Sequence, residues 1–188
     1  MGIRRFALVA ALFLVASSAL AAPRSPRPGE RLPSFILQDQ EGKLRKAESL
    51  CADRPLALSF FAANCPACRK ELPILQRIHA EQGGRIRVVL VLLDPEGLRV
   101  FAPFKEELGI TFTVLDGSGG VLQDQLGIDS LPRVMLVGQG GVIKEILIGF
   151  DPGKSGEFEA KILKLAGEGR RQPDPPSPIP NPEPFPSW

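Results

Sequence analysis

Apolar and polar positions alternate in two rhythms between residues 32 and 167. Phe35-Ile-Leu37, followed by Gln40-Glu-Gly-Lys43, reads as a short strand entering a turn. Leu56-Ala-Leu-Ser-Phe-Phe61 is an almost unbroken apolar run of strand length, as expected of a strand covered on both faces. Leu72, Leu75, Ile78 and His79 then recur at helical spacing until Gly83-Gly84 ends the helix, and Ile86 to Leu93 forms a second buried strand. Strand, helix, strand predicts two parallel strands joined by a right-handed crossover. A second helix is expected from Pro95 to Leu108, a short strand at Phe112–Leu115, and a turn through Asp116-Gly-Ser-Gly-Gly120. Val134–Val137 and Val142–Ile148 flank Gly138-Gln-Gly-Gly141, the pattern of an antiparallel hairpin. A closing helix spans Ser155 to Leu165, and no internal repeat is visible. The class is therefore α/β, in one domain.

The two ends follow different rules. Met-Gly-Ile-Arg-Arg precedes an apolar run from Phe6 and a small-residue stretch ending Ala19-Leu-Ala21, which reads as a secretory signal over residues 1–21 with cleavage after Ala21. An uncleaved anchor is the alternative, because the run to Ala22 approaches the shortest bilayer-spanning length. No second long apolar run follows, so no membrane span is expected after cleavage. Residues 22–31 read as a linker, 32–167 as the domain, and 168–188 as a Pro-rich, disordered tail. Gln172 to Trp188 holds eight prolines in 17 residues, and proline joins neither helix interiors nor sheet ladders.

Charge excludes some partners. Of the 23 basic residues only Arg4 and Arg5 leave with the signal, so 21 remain against 21 acidic ones. Nothing in that balance calls for nucleic acid or an anionic surface. A chain of 188 residues buries enough core to fold without disulfide staples. Its three cysteines are too few for a framework and invite a functional reading.

Two of them stand in Cys65-Pro66-Ala67-Cys68, directly after a buried strand and at the opening of a helix. There the unpaired backbone N–H groups and the positive end of the helix dipole favour a thiolate on Cys65, with a pKa below the free value of ~8.5. Pro66 suits the first helical position, where its missing N–H is not needed. The pair reads as a redox dithiol in which the Cys65 thiolate attacks a partner disulfide and Cys68 resolves the mixed disulfide. A purely structural bridge would close almost no loop, and a zinc site would have only Cys51 and His79 as further soft ligands. No metal and no cofactor is expected. Cys51 reads as an unpaired, half-buried small hydrophobe, with pairing between molecules or a second resolving role as the alternatives.

Pro33-Ser-Phe-Ile-Leu, Glu41-Gly-Lys43, the run from Leu58 through the cysteines to Pro73, and Gly127-Ile-Asp-Ser-Leu-Pro132 resemble the TlpA/ResA-like branch of the thioredoxin superfamily. The resemblance covers about Leu32 to Leu165. It implies a central mixed β-sheet flanked by helices, a helix kinked at Pro73, and a cis bond at Leu131-Pro132, where these two residues offer a backbone edge to the substrate chain. It also implies protein disulfide or dithiol clients such as apocytochromes awaiting haem and copper-site proteins, an upstream electron donor in the membrane, and a periplasmic or otherwise exported location. Reduction is the favoured direction.

Two departures bear on mechanism. Asn64 stands where the family usually has Trp, so the surface beside the nucleophile is more polar. Ser59 stands where thioredoxin itself has a buried Asp, so another group must serve Cys68 as proton acceptor. Asp94 and Glu96, after the second central strand, are candidates for tuning the thiols, with helix capping by Asp94 and solvation of Glu96 as the bland alternative. A thiol peroxidase would place Thr or Ser three residues before its cysteine and Pro four before that, where this chain has Ala62 and Leu58. A non-catalytic client-binding module on the same fold is the alternative of a different class, distinguished by stoichiometric binding without turnover.

Overall fold

The computed structural model describes residues 25–168. The expected signal and the Pro-rich tail from residue 169 lie outside the described residues. A small antiparallel pair, β1 (Ile36–Gln38) and β2 (Leu44–Lys46), leads through a single-turn helix α1 (Ala47–Leu50) into the main sheet. That sheet contains β3 (Leu56–Phe61), β4 (Arg87–Leu92), β5 (Thr113–Asp116), β6 (Arg133–Val137) and β7 (Ile143–Ile148), in the order β5-β4-β3-β6-β7. The first three run parallel, and β6 and β7 run antiparallel to their neighbours. The mixed sheet expected by resemblance is thus present, as are the parallel β3–β4 pair and the β6–β7 hairpin.

Strand alternation sorts the core into two layers. Ala57 and Phe61 of β3, with Val88, Leu90, Leu92, Val114, Val134 and Leu136, meet Leu72, Leu75 and Ile78 of α2 (Pro66–Gln82) and Phe158, Ile162 and Leu165 of α5 (Ser155–Glu168). Leu56, Leu58 and Phe60 face the other way, onto Phe35, Leu50 and the Leu122, Leu126 and Ile128 side chains on and after α4 (Val121–Gln125). Ser59 sits between Leu58 and Phe60 and must therefore point toward α2.

The stretch expected as one helix from Pro95 to Leu108 is broken. It forms a 3-10 turn at Gly97–Phe101 and then the short helix α3 (Ala102–Glu107). Gly97 has φ +65°, and a Cβ there would lie 2.8 Å from an Asp116 carboxylate oxygen, so the chain enters in a conformation that only glycine takes readily. Pro103, lacking an N–H, then sits in the first turn of α3. β5 runs Thr113–Asp116, one residue later than expected. Residues 25–31, the described part of the segment read from the sequence as linker, lie against the domain: Gly29 and Glu30 pair with Ile143, and the Ser25 hydroxyl donates to the Gly127 carbonyl at 2.8 Å. Among the described residues no helix is long and apolar enough to cross a membrane.

Candidate active site

The carboxyl end of β3, the start of α2 and the start of β6 converge at one end of the sheet, because β6 begins where its antiparallel partner β3 ends. Cys65 caps α2 with extended backbone (φ −98°, ψ 102°), and its sulfur accepts the Cys68 N–H at 3.2 Å. Pro66 occupies the first helical position as expected. Cys65 and Cys68 are joined in a disulfide with Cα atoms 5.3 Å apart. Cys65 is partly exposed and Asn64 exposed, whereas Cys68 is buried. Pro73 lies inside α2. The Leu131-Pro132 bond is cis, with Pro132 buried and Leu131 partly exposed at the boundary of both core layers.

The structure supplies a carboxyl group that sequence reasoning missed. Glu71 follows Cys68 by three residues and so shares its face of α2. Only 2% of it is exposed, and it accepts the Ser59 hydroxyl at 2.7 Å through Oε1, while Oε2 has no hydrogen-bond partner among the described residues. Burial pushes the Glu71 carboxyl up to about 7, against the opposing pull of the Ser59 hydrogen bond. The signal was present in the spacing: Cys68, Glu71, Leu72, Leu75 and Ile78 form one buried stripe, with Glu71 inside it. Ser59, where an aspartate was missed, is instead the hydrogen-bond donor to a carboxylate on the facing helix.

Asp94 and Glu96 part company. Both Asp94 carboxylate oxygens accept the Ala63 N–H, at 2.9 and 3.1 Å, so Asp94 holds the loop before Cys65 rather than capping a helix through its side chain. The Ala63 carbonyl is held from the other side by the Arg69 guanidinium, through Nε at 2.8 Å and through Nη2, and that guanidinium lies over the Phe104 ring at 5.0 Å. Glu96 is exposed and makes no side-chain cap. His79, whose ring meets Phe112 edge to face at 5.9 Å, has no part in the site. Cys51 is 3% exposed, with its Sγ donating to the Ala47 carbonyl at 3.4 Å, and burial pushes its thiol pKa up. It stands before the amino end of β3, so the length of that strand, about 20 Å, separates it from Cys65 and Cys68.

The geometry meets the known proteins here. Residues 28–146 match the AhpC/TSA family. The chain belongs to that family. Within it, the AhpC/TSA chain is TlpA/ResA-like: it is 29% identical over 129 residues to the thiol-disulfide oxidoreductase ResA of Halalkalibacterium halodurans, covering 65% of this chain and 69% of that protein. It is 32% identical over 120 residues to the thiol:disulfide interchange protein DsbE of Escherichia coli, covering 62% of each. A Chlorobium tepidum structure assigned as a thiol:disulfide interchange protein DsbE superposes with TM-score 0.69 at 25% identity, covering 76% of this chain and all of that one. StoA of Bacillus subtilis superposes with TM-score 0.57 at 24% identity over 71% of this chain and 98% of its own, which shows the shared thioredoxin-like fold. This AhpC/TSA chain is a thiol–disulfide oxidoreductase.

Proposed function

We propose that this oxidoreductase works outside the cytoplasm as a reductant of disulfides in protein clients, such as apocytochromes awaiting haem and copper-site proteins, and is recharged by an electron donor in the membrane. The observation that carries the reading is a Cys65–Cys68 disulfide at the start of α2 with Glu71 buried one helical turn behind Cys68. In the reduced protein the Cys65 thiolate attacks one sulfur of a client disulfide. A Cys65–client bond forms, and the other client sulfur leaves as a thiolate that takes up a proton. Cys68 then gives its proton to the Glu71 carboxylate and attacks Cys65 Sγ, releasing the second client thiolate. Two electrons pass to the client, and the Cys65–Cys68 disulfide is restored.

A carboxylate behind the pair disfavours a second negative charge on Cys68. Destabilising the reduced thiolate form lowers the reduction potential, which supports donation rather than withdrawal of electrons. The exported location is supported by the positively charged start, apolar run and Ala19-Leu-Ala21 ending of the amino terminus. The partly exposed Leu131 backbone edge, at the end of the sheet where β3 hands over to the cysteines, supports a polypeptide client.

The test is insulin reduction driven by dithiothreitol. Cys65→Ser abolishes turnover, Cys68→Ser accumulates a covalent client complex, and equilibration with glutathione gives a potential more negative than about −200 mV. A potential near about −120 mV reverses the direction, and full activity in Cys65→Ser removes the dithiol mechanism.

A further inference from the structure

Arg133 follows the cis proline and opens β6, opposite Phe60 on β3 and Ile148 on β7. Its side chain is only 5% exposed. Val134 belongs to the core layer that holds the dithiol, while Phe60 and Met135 belong to the other, so Arg133 points away from the cysteines. On that far face its guanidinium reaches back along the chain. Nη1 donates to the Gly127 carbonyl at 2.9 Å, and Nη2 donates to Asp129 Oδ1 at 2.5 Å and to the Ser130 hydroxyl at 3.3 Å. Nε is buried without a hydrogen-bond partner among the described residues. The Gly127 carbonyl is held a second time by Ser25, and Gly127 itself has φ +56° with Ser25 Oγ 2.5 Å from where a Cβ would stand.

A buried guanidinium is a poor way to fill a strand position. Its desolvation is large, one nitrogen goes unpaired, and its carboxylate partner Asp129 is 80% exposed and so screened by water. Stability alone favours an apolar side chain there, as at every other β6 position. What Arg133 does accomplish is mechanical. Three hydrogen bonds fasten the Gly127–Ser130 turn, the segment that leads into Leu131-Pro132, and a planar fork suits that task where a single ammonium does not.

We propose that Arg133 is a positioning residue for polypeptide clients: by fastening the Gly127–Ser130 turn from the far face of the sheet, it holds the Leu131-Pro132 backbone edge in register with the dithiol. The inference rests on the reading of that edge as the client's docking strand. A client that lies along the edge needs it fixed. A small disulfide that touches only the sulfurs does not.

The experiment therefore compares two substrates, insulin and hydroxyethyl disulfide, with dithiothreitol as the reductant of the intact protein. Arg133→Met keeps the bulk and removes the fork, Arg133→Lys keeps the charge, and Asp129→Ala removes the exposed arm without disturbing the core. KM for insulin rises five- to tenfold in Arg133→Met and in Arg133→Lys, and two- to threefold in Asp129→Ala, with kcat within twofold. In the same variants kcat/KM for hydroxyethyl disulfide falls by no more than twofold. Equal losses on both substrates, full recovery in Arg133→Lys, or an unchanged insulin KM in all three variants each overturn the proposal. Should Arg133→Met not fold, Asp129→Ala and Arg133→Lys decide it. Failure of the unsubstituted protein on both substrates would instead bring down the oxidoreductase reading itself.

Discussion

A carboxyl group with one hydrogen bond and almost no water around it keeps its proton longer than one in solution. Glu71 is in that position, with its ordinary value of 4.5 pushed up to about 7. Between those two pH values the folded protein holds a proton that the unfolded chain has released, so stability falls as pH rises through the window and is flat above it. The two end points correspond to about 3 kcal/mol. Urea unfolding at pH 5 and pH 8 measures the drop; Glu71→Gln abolishes it, and Ser59→Ala, which removes the one donor favouring the carboxylate, steepens it. A pH-independent difference between wild type and Glu71→Gln would place the ionisation elsewhere. Asp94 acts on the backbone instead. Asp94→Asn retains an oxygen for the Ala63 N–H and keeps insulin reduction within twofold, whereas Asp94→Ala loses a charge-assisted bond of about 1.5 kcal/mol and slows it about tenfold. Equal rates in the two variants would show that the loop does not depend on that bond. These residue-level facts were the least legible in the sequence. Glu71 lay in an apolar stripe but reads as a surface residue by type, and Arg133 reads as a loop residue because charge seldom opens a central strand.

An element contributes through where it begins as much as through what it buries. Cys65 is the N-cap of α2, so its sulfur lies at the helix start and accepts the Cys68 N–H, while Cys68 is drawn one turn inward against the sheet. In the reduced protein, iodoacetamide at pH 7 therefore alkylates Cys65 at least tenfold faster than Cys68, as peptide mapping of a brief reaction will show. Comparable rates would mean that neither the helix start nor burial separates the thiols. The long elements were readable because period and length agree: β3 and β4 as continuous apolar runs, α2 as a stripe at helical spacing. β2, α1 and α4 were not, since three to five residues carry too little period to register. The broken helix before β5 shows the other failure. Its apolar content suited a helix, but Gly97 and Pro103 impose backbone constraints that a hydrophobic count does not weigh.

Over the whole molecule, direction of strands decides function more than composition does. β3 ends and β6 begins at the same edge of the sheet, and that antiparallel step brings Pro132, far from the cysteines in sequence, to the dithiol end. The motif and its strand–helix setting were plain in the sequence; the tie across the sheet came only through resemblance, because no local pattern records which strands become neighbours. The same layout leaves Cys51 at the opposite end, sealed under Gly140 and Gly141. The consequence is a thiol that keeps time on folding. In the reduced native protein a chromogenic disulfide reagent counts two sulfhydryls promptly, and the third appears only as fast as the domain opens, so its labelling rate against urea gives the opening free energy without any engineered probe. Prompt titration of three would show that this end of the sheet breathes far more readily than its packing implies.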